Sequence, residues 1–109
     1  MFEKNLEMSL LLDFYGETLS ERKLTIMNLY YNEDYSLAEV ADEIGISRQG
    51  VRDSIKKGED ELLFFEEKLG LAARFSAYEE AANRIRALSE QETLSKELRT
   101  EISKLSEFV

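Results

Sequence analysis

The sequence predicts an all-α fold, a bundle of four helices followed by an additional C-terminal helical hairpin, and three observations predict it. Apolar residues recur three and four apart almost throughout, and no segment shows the period-two alternation of a half-buried strand. The chain has no proline and only five glycines, so a helix has few reasons to stop. Serines stand where the periodic stretches begin, as helix caps do. With 109 residues, 43% of them hydrophobic and 34% charged, the make-up is that of one domain, or a small domain with an appendage. At that size roughly 65% of the unfolded surface can be buried, enough for a real core.

A first helix is expected from about Phe2 to Tyr15, with Leu6, Leu10 and Phe14 four apart and Gly16 ending it. Ser20 is placed to cap a second helix, and Leu19 and Leu24 occupy the two positions of a hydrophobic staple. Its apolar positions are Leu24, Met27 and Tyr31, with Ile26 and Tyr30 beside them, and it stops in Asn32-Glu33-Asp34. Ser36 with Glu39 three residues on forms a capping box, flanked by a Tyr35–Val40 staple. Leu37, Val40, Ala41 and Ile44 then make the one-sided stripe of a short amphipathic helix.

Gly45 suits the left-handed conformation that closes a helix. Ser47 caps the next one, with Ile46 and Val51 as a third staple. Val51, Ile55, Leu62, Phe65 and Leu69 carry a buried face down one long helix, and Gly58 on that face permits close packing against another backbone.

After Gly70 the pattern changes. Leu71, Phe75, Tyr78, Ala82 and Ile85 alternate four and three apart. Ser89 with Glu92 predicts another capping box, leading into Leu94, Leu98, Ile102 and Leu105. These two helices are expected to form an antiparallel hairpin that packs on the body of the domain or on a second copy of it. The seam of the first is expected to be intramolecular core, whereas the last suits self-association equally well. The domain division expected is therefore 1–70 and 71–109.

Residues 36–58, SLAEVADEIGISRQGVRDSIKKG, combine these signals into two short capped helices around a glycine turn, a helix-turn-helix. Val51 and Ile55 anchor the second helix by one face. At 100° per residue, Gln49, Arg52, Asp53, Lys56 and Lys57 fall on the opposite arc. A helix of this kind can lie in the major groove. Ser47 and the first-turn amides are placed to hold a phosphate. Arg48, Gln49 and Arg52 are the candidates for base edges, since Arg suits guanine and Gln suits adenine, while Lys56 and Lys57 are candidates for phosphates.

Charge argues for a weak interaction. The formal net charge is −9, divided as −4 over residues 1–35, zero over 36–58 and −5 over 59–109. The motif is the least acidic region, and residues 47–58 carry four bases against Asp53 alone. Glu59, Asp60 and Glu61 follow at once, within a Debye length of about 8 Å. Binding to DNA or RNA is therefore expected to be weak and salt-sensitive unless a homodimer doubles the contact surface.

The absences narrow the class. Without Cys or His there is no disulfide, thiol nucleophile, Cys/His zinc site or imidazole acid–base chemistry. Glu66-Glu67 and Glu79-Glu80 are adjacent and diverge on a helix, so they do not converge on a substrate. No catalytic residue, cofactor or metal is expected, and an enzyme is the disfavoured class. The longest apolar run, Leu10 to Leu12, is far short of a membrane span, and Met-Phe-Glu-Lys has no signal-peptide pattern, so a cytoplasmic protein is expected.

Leu19 to Leu62, with SLAEVADEIGISRQGVRDSIKKGEDEL at its heart, resembles the fourth region of bacterial sigma factors. There too a helix precedes the two motif helices, and a valine and an aliphatic residue four apart anchor the recognition helix. Over essentially its whole length the chain resembles the small YlxM-type proteins of Gram-positive bacteria, most closely in EKNLEMSLLLDFYGETLSERK and DYSLAEVADEIGISRQGVRDSIKK. The resemblance implies a helix-turn-helix protein encoded beside signal-recognition-particle components, with a regulatory role in that pathway. It carries the recognition-helix positions over as Arg48, Gln49, Arg52, Lys56 and Lys57. The alternative is an acidic adaptor that docks a basic signal-recognition-particle or transcription component without binding DNA.

Overall fold

The computed structural model describes residues 6–107, all of whose regular structure is helical. The chain divides into two units, Met1–Gly70 and Leu71–Val109. In the first, α1 (Leu6–Tyr15) leads through a 3₁₀ turn (Gly16–Thr18) to α2 (Glu21–Tyr31), α3 (Leu37–Ile44) and α4 (Arg48–Leu69). The second holds α5 (Leu71–Ser89) and α6 (Lys96–Glu107), which pack on each other. Among the described residues no helix is long and apolar enough to cross a membrane. The expected start of the first helix at Phe2 lies outside the described residues.

Helix α4 is the spine of the first unit, and α1, α2 and α3 each pack on it. Ile26 and Met27 of α2, Val40 of α3, and Val51 and Leu62 of α4 are fully buried. Met8, Leu11, Leu12 and Tyr15 cover the same core from α1. Side chains of this kind each contribute about 1.5–3 kcal/mol on leaving water, which outweighs the modest propensities of Val, Ile and Tyr for helix. Where α2 crosses α4, Gly58 is buried, and a Cβ there would run into the Met27 thioether. The glycine lets the two backbones approach, as its place on the apolar face predicts.

The serine caps explain where α2, α3 and α4 begin. Ser20 Oγ accepts from the Lys23 amide at 3.3 Å, Ser36 Oγ from Glu39 at 3.1 Å, and Ser47 Oγ from Gly50 at 3.0 Å. The Glu39 carboxylate returns the bond to the Ser36 amide at 3.0 Å, completing the box. Gly45 ends α3 with φ +82°, the left-handed region open to glycine at little cost.

Four expectations need correction. Gly16 does not end α1 through a left-handed conformation: the chain tightens into the 3₁₀ turn, and glycine is there for space, with Leu24 Cδ1 3.0 Å from where a Cβ would sit. Leu69 is 48% exposed rather than buried, because the contacts of α4 with α1 reach Phe65 and Glu66 and Leu69 lies a turn beyond. Ser89 is not a cap. It closes α5, where its hydroxyl donates back to the Arg86 carbonyl at 2.7 Å, and Ser95 caps α6 by accepting from the Leu98 amide at 3.2 Å. Finally, the seam of α5 is core only in part: Tyr78 and Ile85 are exposed, Phe75 is half-buried, and Ala82 is the one seam member that is buried. Within the second unit α5 has α6 alone to pack on, which is too little to bury the larger side chains.

Candidate nucleic-acid interface

The site is the N-terminal half of α4, held from behind by one apolar cluster. Ile26 and Tyr30 of α2, Val40 and Ala41 of α3, and Val51 and Ile55 of α4 are buried together. Tyr35, Leu37, Ile44 and Ile46 pack around them, including the outer members of the second and third staples. The small Ala41 side chain and the left-handed Gly45 let α3 turn sharply into α4. Val51 and Ile55, one turn apart, then fix which face of α4 points outward.

On the outward arc Ser47, Arg48, Gln49, Arg52, Lys56 and Lys57 are all exposed. The structure thus places the six sequence-predicted residues exposed at the start of one helix, with Arg48, Arg52, Lys56 and Gln49 within an arc of about 100° and Lys57 about 80° beyond it. Arg48, Arg52 and Lys56 succeed one another at four-residue steps and form a ridge along that side. Arg48 and Lys57 close no ion pair with a described residue. The first-turn amides of Arg48 and Gln49 precede the earliest intrahelical partner, so they too face outward as donors. Ser47 Oγ accepts from Gly50, which leaves its own hydroxyl proton free to donate.

Besides the capping Ser47, two of the six are engaged within the helix. The Gln49 amide donates to Asp53 Oδ1 at 3.0 Å, which holds the side chain in place and leaves its oxygen and second N–H hydrogen outward. Lys56 Nζ lies 3.2 Å from Asp60 Oδ1, an exposed pair of the kind worth less than about 1 kcal/mol. It can exchange that carboxylate for a phosphate.

The acidic run after the motif is less hostile than its sequence implies. Glu61 is paired with Lys23 of α2 at 2.6 Å, Asp60 with Lys56, and Glu59 accepts a hydrogen bond from the Tyr31 hydroxyl. The Lys23 contact draws Glu61 toward α2, whereas Glu59 stays beside Arg52 with its carboxylate engaged by the Tyr31 hydroxyl.

Sequence reasoning missed the feature behind Arg52. A small pocket of about 120 Å³ is lined by Arg52, Lys56, Tyr30, Tyr31, Leu37, Ile55 and Glu59. Burial raises both phenol pKa values, and the nearby Glu59 adds to the rise, while Arg52 opposes it at Tyr30. Both tyrosines therefore stay neutral, and Arg52 sits over a wall that contains one carboxylate. Helical winding places Glu59 only 20° from Arg52 and would have found half of this arrangement. The Tyr31 half depends on how α2 crosses α4, which no local spacing encodes.

A short capped helix, a left-handed glycine turn and a second helix with one buried face and one exposed basic face define a helix-turn-helix protein. Comparison with known sequences agrees, and the chain belongs to the UPF0122 family, described as "Putative helix-turn-helix protein, YlxM / p13 like", whose profile matches residues 2–104. A UPF0122 protein of Halalkalibacterium halodurans is 41% identical over 98 residues, 90% of each chain. One from Listeria innocua is 37% identical over 106 residues, 96% of each. Another, from Acetivibrio thermocellus, is 53% identical over 73 residues, which span 67% of this chain and 62% of that protein.

Proposed function

We propose that the protein is a nucleic-acid-binding regulator that presents the N-terminal half of α4 to DNA or RNA, and that it acts in the signal recognition particle pathway. The observation that carries the reading is the exposed arc of Ser47, Arg48, Gln49, Arg52, Lys56 and Lys57 on a helix whose opposite face is locked in the core. Arg48, Gln49 and Arg52 read base edges, and Ser47, Lys56 and Lys57 meet phosphates. The arrangement is that of a sigma region-4-like module. Four cations neutralise few phosphates, so affinity falls steeply with salt. The pathway assignment follows the resemblance to YlxM-type proteins, and it fits a cytoplasmic protein with no catalytic role.

Fluorescence anisotropy at low salt, with a labelled duplex in one series and an RNA hairpin in another, tests the reading. Binding by the natural chain should disappear in Arg52→Glu with helicity unchanged. No binding of either probe would sink the proposal.

One observation favours the adaptor reading. The C-terminal half of α4 leaves Leu63 and Phe64 about half exposed, at 51% and 54%. Phe64 and Phe65 line an open groove of about 420 Å³ with Thr18, Asp60 and Glu61. A basic partner protein of the same pathway would place apolar side chains there. Under that reading, Phe64→Asp abolishes binding to a purified basic signal-recognition-particle protein and spares nucleic-acid binding; unchanged partner binding in that variant excludes the groove. Removing everything from Glu59 onward is no substitute, because Leu62 belongs to the core of the first unit and the Glu61–Lys23 and Glu66–Tyr15 contacts tie α4 to α2 and α1 beside that core.

A further inference from the structure

The second unit has almost no core of its own. Of its 39 residues, Leu71 to Val109, only Ala72 and Ala82 are buried among those described. Tyr78, Ile85, Leu88, Leu98 and Leu105 stand 40–62% exposed. Units below about 40 residues rarely hold together without disulfides, metals or association, and this chain has no cysteine. Yet α5 keeps a 4-3-4-3 apolar seam over Leu71, Phe75, Tyr78, Ala82 and Ile85, the pattern of helices that pack against further helices.

Charge identifies what covers it. Residues 1–70 carry a net charge of −8, but residues 71–109 carry only −1, with seven acids and six bases. The hairpin is thus the part of the chain that can approach its own copy without strong repulsion. At the turn end, α5 and α6 enclose a cleft of about 430 Å³ lined by Arg86, Arg99, Glu90, Glu92 and Ile102. None of the four charged groups closes an ion pair with a described residue. Two free cations and two free carboxylates in one cleft form a self-complementary set under two-fold symmetry.

We propose that the α5–α6 hairpin is a dimerisation module. Hairpins of two copies join their apolar seams into a four-helix bundle, and Arg86 and Arg99 of each copy pair with Glu90 and Glu92 of the other. The dimer forms whether or not α4 binds nucleic acid. If it does, two recognition helices act together.

Sedimentation velocity of the full chain from 1 to 200 µM tests this. The natural chain should show a concentration-dependent dimer. Arg86→Glu/Arg99→Glu should weaken it at least about tenfold, and adding Glu90→Arg/Glu92→Arg should restore it to within about threefold. A control with the same change of net charge, Arg84→Glu/Lys104→Glu, should leave the dimer within about threefold of the natural one. Leu98→Glu should give a monomer whose first unit melts as before. A chain that stays monomeric throughout, an unrestored charge swap, or a control that weakens the dimer as much as the cleft variant would each overturn the proposal.

Discussion

The two units spend similar helical material in different ways. Both have apolar residues three and four apart and serine capping, yet the first buries Ile26, Met27, Val40, Val51 and Leu62 completely and the second, among its described residues, buries two alanines. The difference lies in how many neighbours each helix has. Helix α4 is wrapped by three others, so its inner face is buried at Val51, Ile55, Gly58 and Leu62, whereas α5 and α6 pack on one another. Periodicity alone makes a helix amphipathic; a third and fourth helix make the stripe a core.

The comparison is most easily broken by removing one leucine from each unit. Leu62→Ala leaves a cavity in a closed core and should cost about 2–5 kcal/mol in urea unfolding followed by circular dichroism. Leu98→Ala, at a position 47% exposed, should change the unfolding of the first unit by less than about 0.5 kcal/mol. Equal losses would mean that the units are not separately cored.

Two glycines of the first unit should separate space from backbone conformation. Gly58→Ala drives a methyl into the fully buried Met27, so overpacking of about 1–3 kcal/mol should exceed the roughly 1 kcal/mol gained in helix propensity. At Gly45 no atom lies within 4 Å of an added Cβ, but φ is +82°. Gly45→Ala should therefore cost about 1–2 kcal/mol through backbone strain alone. Thermal melts of the pair check both signs.

The contrast between units also marks how much the sequence made legible. In the first unit each helix start from Ser20 to Ser47 could be read, because a serine accepts from an amide three residues on and nothing competes. The same reading failed at Ser89. There the preceding helix persisted and turned the hydroxyl toward its own Arg86 carbonyl, a choice local spacing does not reveal. At the candidate interface the outward arc followed from the anchors Val51 and Ile55, since 100° per residue fixes the rest. The pairing of Lys23 with Glu61 and of Tyr31 with Glu59 did not, because each joins residues 38 and 28 positions apart across a helix crossing.

The shifted cap gives a smaller but sharper test. Ser95→Ala removes the acceptor for the Leu98 amide and should lower the helicity of α6, a change of about 0.5–1 kcal/mol. Ser89→Ala, which loses only a hydroxyl donated to a carbonyl at the end of α5, should cost less. Amide hydrogen exchange of Lys96 to Arg99 distinguishes the two. Faster exchange there in Ser89→Ala than in Ser95→Ala would return the cap to Ser89.

The smallest expected effect concerns the wall behind Arg52. Burial and the Glu59 carboxylate hold the Tyr31 phenol above its ordinary value of 10.0. A group whose pKa is raised by folding contributes its full stability below its unfolded value and loses it as pH rises past that point. The natural chain should therefore be pH-independent on this account up to about pH 9, then lose stability from about pH 10 upward as the unfolded chain ionises first. Tyr31→Phe should cost at most about 1 kcal/mol at neutral pH, for the lost hydrogen bond to a partly exposed Glu59, and its melting temperature should fall less between pH 9 and pH 11. Because Glu59 and Arg52 line one pocket, the same variant frees a carboxylate beside the proposed base-reading arginine. A modest loss of nucleic-acid affinity in Tyr31→Phe at pH 7, with the helix content intact, would tie that wall to the aim of Arg52 rather than to the stability of the bundle.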